Sequence, residues 1–249
     1  MKIATLSMLF AFSVSAADPL AGTWRLDFDK SPGATPQISK FEHDGEFLKN
    51  TNGPIGYRFK IDGKPHPAPS AQFDTVIWRQ TGPRKFEHAT TKDGKTVYTV
   101  VTEVGANGLT RSYRHTRILE NGKTVVNDGV QERVGGETDP ANPLIGHWRL
   151  RQVMQWKQSG NQLQYRGGTL SYSAALDGKE HPATGSSTID TVSLRRLSAN
   201  AIEVTGKKEG KLVYATTHTV SSDGTTLTSK SPNRGDLVFD RVKHLGGKP

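Results

Sequence analysis

The sequence predicts an all-β protein, two antiparallel β-barrels in tandem after a signal peptide. Three observations carry that prediction. The chain of 249 residues repeats itself once. Its β-branched and aromatic runs are punctuated by Asp-Gly and Asn-Gly pairs, which supply the positive φ that tight hairpins need. No window sustains the 3.6-residue apolar period of a helix.

In chain order, the first segment is residues 1–16. Lys2 precedes an apolar run from Ile3 to Val14, and small residues end it at Ala16. That is how a secretory signal peptide reads. The run is short of the ~20 residues a membrane span requires, and no later segment qualifies. The mature chain is therefore expected to be exported, to a periplasm or outside the cell, with no membrane span.

Residues 17–135 form the first repeat and 136–249 the second. Pro19-Leu20-Ala21-Gly22-Thr23-Trp24-Arg25-Leu26 returns as Pro143-Leu144-Ile145-Gly146-His147-Trp148-Arg149-Leu150. Asp62-Gly63-Lys64-Pro65-His66-Pro67-Ala68 returns as Asp177-Gly178-Lys179-Glu180-His181-Pro182-Ala183. From Asp74 to Ser112 the offset holds at 116 without a gap. Each copy closes on an acidic-Arg-Val triplet, Glu132-Arg133-Val134 and Asp240-Arg241-Val242. A unit of about 110 residues is domain-sized. Gly135-Gly136 through Asn142-Pro143 halts helix and strand alike and reads as the linker. Within a unit, runs such as Thr96–Thr102 suit a pleated, half-buried surface. Many hairpins leave sheet edges to manage, and closure into a barrel removes them.

Composition narrows the function classes. With no cysteine, disulfides, thiolate metal sites and Cys nucleophiles are excluded. The net charge is +9, but the basic residues are spread thinly, never more than two in a row and without interleaved aromatics. A solvated surface explains them better than nucleic-acid binding does. The eight histidines never fall in His-x-His or His-Glu-x-x-His spacing, so neither a metal site nor any cofactor is implied. His43, His88, His115, His147, His218 and His244 are not repeated between the units. Walker, dinucleotide and Gly-x-Ser-x-Gly signatures are missing.

Gly22-x-Trp24 and Gly146-x-Trp148, each with an Arg in the last strand of its unit (Arg133, Arg241), resemble the calycin pattern of lipocalins and fatty-acid-binding proteins. That resemblance implies a barrel whose first-strand Trp closes one end beneath the last-strand Arg, so Trp24 would lie with Arg133 and Trp148 with Arg241. A guanidinium stacked on an indole is physically favourable. The chain is also similar to a group of exported bacterial proteins with lipocalin-like repeats, through Trp24-x-Leu26, Lys30-Ser31 and the duplicated Asp-Gly-Lys, Asp-Thr-Val and Gly-Lys motifs. The second copy lacks Lys-Ser after Trp148. The group implies a fold and no settled activity.

Candidate site residues follow from the repeat. His66 and His181 hold equivalent places, with Asp74 and Asp190 eight and nine residues on. Strand alternation sets Asp74 on the face of Val76 and Trp78, and Asp190 on that of Val192 and Leu194. An ionised carboxylate there needs a partner, which His66, His181 or Arg58 could supply, and a His–Asp pair could act in acid–base catalysis. Because both copies share the motif, a structural role for it is the economical alternative. Tyr57, Trp78, Tyr98, Tyr172 and Tyr214 are the aromatics expected in or near an interior, as ligand contacts or simply as core. With only 33% hydrophobic residues, a modest amphipathic cavity is expected rather than a large lipid one. The leading expectation is a binding protein for a small hydrophobic or amphipathic molecule. The alternatives are a cofactor-free isomerase, hydratase or hydrolase using a His–Asp pair, and a solid-barrelled interaction protein.

Overall fold

Alternating burial along each run decides which face of every strand turns inward. In β6 (Thr75–Gly82), Val76 and Trp78 are buried while Arg79 and Gln80 are exposed. A computed structural model describes residues 17–232 and 234–242; the expected signal peptide, 1–16, lies outside the described residues. No helix occurs among the described residues, which form twenty antiparallel strands.

The first repeat supplies β1 (Gly22–Asp27), β2 (Ile38–Asp44), β3 (Phe47–Asn52), β4 (Ile55–Phe59), β5 (Pro65–Pro67), β6, β7 (Lys85–Lys92), β8 (Lys95–Val104), β9 (Thr110–Ile118) and β10 (Thr124–Gly135). The second supplies β11 (Gly146–Leu150), β12 (Val153–Ser159), β13 (Gln162–Gly167), β14 (Leu170–Ala175), β15 (His181–Thr184), β16 (Thr191–Ser198), β17 (Ala201–Lys208), β18 (Lys211–Val220), β19 (Thr226–Ser231) and β20 (Arg234–Arg241). The β7–β8 and β17–β18 hairpins turn at Asp93-Gly94 and Glu209-Gly210, where all four residues have positive φ. This is the geometry expected of these duplicated turns.

The barrels do not coincide with the repeats. The closed barrel runs β1-β12-β13-β14-β15-β16-β17-β18-β19-β20. The other, nearly closed, has the order β4-β3-β2-β11-β10-β9-β8-β7-β6-β5. The two copies have exchanged their first strands. β1 lies between β12 and β20, with Trp24 opposite Met154 and Arg241. β11 lies between β10 and β2, with Trp148 opposite Arg133 and Ser39. The boundary between 17–135 and 136–249 thus separates sequence repeats, and each barrel is assembled from both.

The expected indole-under-guanidinium closure is present in both barrels, with partners exchanged. Arg241 stands 4.1 Å over the Trp24 ring and Arg133 4.3 Å over that of Trp148. The pairing of Trp24 with Arg133 and Trp148 with Arg241 is therefore corrected. The physical reason lies in the link from β11 to β12, which is only Arg151-Gln152. A two-residue hairpin needs positive φ at one or both positions, hence Gly, Asn or Asp, and neither residue adopts it here. An Arg-Gln link this short disfavours folding the strand back beside its own successor. The strand runs on across the molecule, and the ten-residue link at 28–37 lets β1 take the vacated place.

Each closure is well bonded. Trp24 and Trp148 are wholly buried and donate Nε1–H to the carbonyls of Leu20 and Leu144, both at 2.8 Å. Arg241 donates to the carbonyls of Gly224, Ala21 and Pro19. Arg133 donates to those of Gly108, Ile145 and Pro143. The Gly of Gly-x-Trp is required by the guanidinium: a Cβ on Gly22 would lie 2.5 Å from Arg241 Nη1, and one on Gly146 would overlap Arg133 Nη1. Two separate apolar clusters fill the barrels, one around Trp24, Trp156 and Leu194, the other around Trp148, Trp78 and Phe59.

Candidate functional site

The exchange leaves a notch. β11 pairs with β10 only over Gln131–Gly135, whereas β9 pairs with β10 back to Thr124. Residues 124–130 therefore have no ladder on one side, and Val125, Val126 and Val130 stand exposed there. Against this edge lies a cleft of about 1730 Å³. It reaches the interior face of the second barrel at Tyr165, Tyr214, Thr216, His218, Ser229, Leu237 and Phe239, and that of the first at Tyr113, His115, Asn127 and Gly129. The cleft is larger than the modest cavity expected, and exceeds a typical pocket of ~300–1,000 Å³, because it is open to solvent and shared by the two barrels.

On the second-barrel side the lining is amphipathic, with Arg166 and Arg234 beside its aromatic and hydroxyl groups. His218 Nδ1 lies 2.7 Å from Ser229 Oγ, and its ring meets Trp156 edge-on at 5.6 Å. Burial pushes this histidine down to about 4, so it is neutral at ordinary pH. Tyr165 stacks on Tyr172 at 4.9 Å, and burial raises the hydroxyls of Tyr165, Tyr172 and Tyr214 above the usual range. The Trp156 Nε1–H is buried without a partner among the described residues. Such a surface offers aromatic faces and hydrogen-bonding groups, with the Arg166 and Arg234 cations among them.

The first barrel differs at matching positions. Its last two strands face Arg111 to Gln131 across the ladder, where the second barrel faces Leu227 to Phe239. Arg111 is 5% exposed. Its Nε donates to Gln131 Oε1 at 2.6 Å, and its guanidinium lies 4.6 Å from the Phe41 ring and 5.1 Å from that of Trp148. Among the described residues no carboxylate pairs with it. Burial, together with the charge of Arg133, lowers it to about 9, so it remains charged at neutral pH. His88 is stacked on Trp78 at 4.2 Å. Burial, then the charge of Arg111, pushes it down to about 3. The His88 Nδ1 and Trp78 Nε1 atoms are buried without hydrogen-bond partners among the described residues.

The residues singled out from sequence are distributed as follows. His66 pairs with Asp62 at 2.9 Å and His181 with Asp177 at 3.2 Å, so the expected His66–Asp74 and His181–Asp190 pairs do not form. Asp74 accepts from the Asp93 amide at 2.8 Å. Asp190 accepts from the Glu209 amide at 2.9 Å and from Lys208 at 2.8 Å. Both aspartates brace the positive-φ hairpins, a reason for their duplication, and their backbone and side-chain donors hold them below the usual carboxylate range. Arg58 pairs with Asp44. Tyr57, Trp78 and Tyr172 are core residues, Tyr98 packs against Phe73, His88 and His115, and Tyr214 lines the cleft.

The sequence reading singles out the duplicated residues and so does not select His88, His115, Arg111 or His218, none of which is duplicated. The signal was available in reverse: aligned at the 116-residue offset, Arg111 faces Leu227 and His88 faces Val204. A scan of the chain against protein-family models gives no match, and neither do searches of curated proteins and of solved structures.

Proposed function

We propose that this protein binds a small amphipathic molecule in the cleft shared by its two barrels. The observation that carries the reading is the cleft itself: about 1730 Å³, walled by Tyr165, Tyr214, Leu237 and Phe239 together with polar and charged groups such as His218, Arg166 and Arg234, a concave mix of apolar and polar surface. Both His–Asp pairs span a link between consecutive strands and stand outside the cleft, so binding is favoured over acid–base turnover. Lipocalin-like kinship is supported by the Trp-under-Arg closure. Export to the periplasm or beyond is supported by the apolar segment after Lys2 and the small residues ending at Ala16.

The test is titration of the chain from residue 17 with a panel of lipids, terpenoids and aromatic compounds, followed by thermal shift and tryptophan fluorescence. At least one class should raise the melting temperature. Leu237→Trp, which fills the cleft, should abolish that shift while melting cooperatively on its own. A flat response to the whole panel, or an undiminished shift in Leu237→Trp, overturns the reading.

A further inference from the structure

We propose that the open edge of β10 takes up an extended acidic segment of a partner protein, which adds a strand to the first barrel beside the arginines of the cleft. This goes beyond the small-molecule reading and does not rest on it, because it uses a backbone edge and the cations of the cleft wall rather than the aromatic interior.

The edge supplies the ladder. Arg151 donates its amide to the Val130 carbonyl at 2.8 Å, which marks the side of β10 that faces β11. Backbone groups on one side of an antiparallel strand recur at every second residue, so Asp128, Val126 and Thr124 turn their amides and carbonyls the same way. β9 covers only the other side, and among the described residues no strand reaches these groups. Sheet edges are normally blunted by Lys, Pro, a bulge or a covering segment. Residues 124–130 contain neither Lys nor Pro. Their one charged side chain, Asp128, is bound by Arg114 at 2.8 Å, and Val125, Val126 and Val130 stand exposed. An edge left open in this way is a template for strand addition.

The walls set the partner's charge. Arg151, Arg166 and Arg234 line the same cleft, and Asp128 is the sole carboxylate among its lining residues. Arg234 donates to the Gly33 carbonyl at 3.4 Å, and neither it nor Arg166 is in a salt bridge among the described residues. Arg151 stands 3.7 Å from Glu132, a carboxylate that Arg149 already holds at 2.7 Å and Arg25 approaches at 3.9 Å. Its buried Nε has no hydrogen-bond partner among the described residues. This surplus of cations complements an acidic strand and opposes a basic one. It also opposes a second copy of this chain, since pairing two β10 edges would bring two such arginine sets to one junction. A small anion would meet the cations and leave the ladder of β10 unpaired. The edge and the charge together favour an acidic peptide.

The experiment is calorimetric titration of the chain from residue 17 with the peptide acetyl-Thr-Glu-Val-Glu-Val-Glu-Thr-amide, and with its counterpart carrying Lys for Glu. The acidic peptide should bind at least about tenfold more tightly, and less so as salt screens the pairs. N-methylation of the glutamates, or separately of the valines, removes amides from one side of the strand only. One of these two sets should abolish binding and the other should spare it. Arg166→Glu/Arg234→Glu should lose the preference for the acidic peptide. Val126→Pro, whose missing amide points away from β9, should weaken binding by about tenfold or more and still melt cooperatively. No binding of the acidic peptide, equal binding of both peptides, or equal tolerance of both N-methylated sets overturns the proposal. So does a concentration-dependent dimer in light scattering that Val126→Pro dissolves, which would assign the edge to a second copy. Each of these outcomes leaves the small-molecule reading to its own test.

Discussion

Arg241 sits 4.1 Å above the ring of Trp24, joining the last strand of the second repeat to the first strand of the first. Its mirror, Arg133 over Trp148 at 4.3 Å, runs the other way. Together they knit the two repeats into barrels that neither could complete in this form alone. The strongest consequences of the structure follow from that exchange.

A chain comprising only 136–249 holds a β11 whose Arg151-Gln152 link disfavours turning back. It should therefore exchange β11 with a second copy, as happens when identical elements swap across a tight hinge. Light scattering after size exclusion should report a dimer. Arg151→Asn/Gln152→Gly, which permits a two-residue turn, should shift that fragment to a monomer. A monomeric, cooperatively melting parent fragment would contradict the hinge explanation.

Arg133→Leu removes a cation–π contact and leaves the carbonyls of Gly108, Ile145 and Pro143 without their donor. The expected loss is about 2–4 kcal/mol in urea unfolding. Arg133→Lys should recover less than half of it, because an ammonium lacks the planar fork that serves three carbonyls at once. Equal stability of the Lys variant and the parent would show that charge alone suffices.

Gly146→Ala should destabilise by about 2–4 kcal/mol. Its φ is +135°, a region L side chains rarely adopt, and the added methyl would strike Arg133 Nη1. Gly45→Ala makes a suitable comparison: its φ is +62°, but open space surrounds its Cβ position, so it should cost about 1 kcal/mol. The difference between the two variants, measured by urea unfolding, reports the guanidinium contact together with the greater backbone strain at +135°.

Stability should fall on acidification through the histidine range. His218 and His88 are neutral in the fold, lowered by burial to about 4 and about 3, whereas in the unfolded chain they titrate at their ordinary value near 6.5. Between those values the unfolded state binds more protons, so unfolding gains from falling pH. Each group costs the native state on the order of 3 kcal/mol by pH 4. His88→Val, matching Val204 of the other copy, should flatten the pH slope of the melting temperature between pH 6.5 and 4. An unchanged slope in that variant would show that His88 is already protonated in the fold.

Much of the architecture was legible in the chain. Turn chemistry at Asp93-Gly94 and its duplicate, β-branched runs and the Gly-x-Trp repeat are local or self-referential signals, and they determined an all-β, twofold-repeated protein with two capped barrels. They also marked Asp74 and Asp190, whose duplication reflects hairpin bracing rather than pairing with histidine. Tertiary structure alone decided which barrel receives which first strand. β1 and β11 share the Gly-x-Trp-Arg-Leu core, so that motif does not assign either strand to its own copy, and the two-residue link at Arg151-Gln152 disfavours a hairpin. The cleft was equally hidden, because it arises from a mismatch in ladder length between β10 and β11 and is lined by residues from both repeats. The inward direction of Arg111, with no carboxylate paired to it among the described residues, is a tertiary feature, since a strand sequence reports alternation but not which face closes over a core.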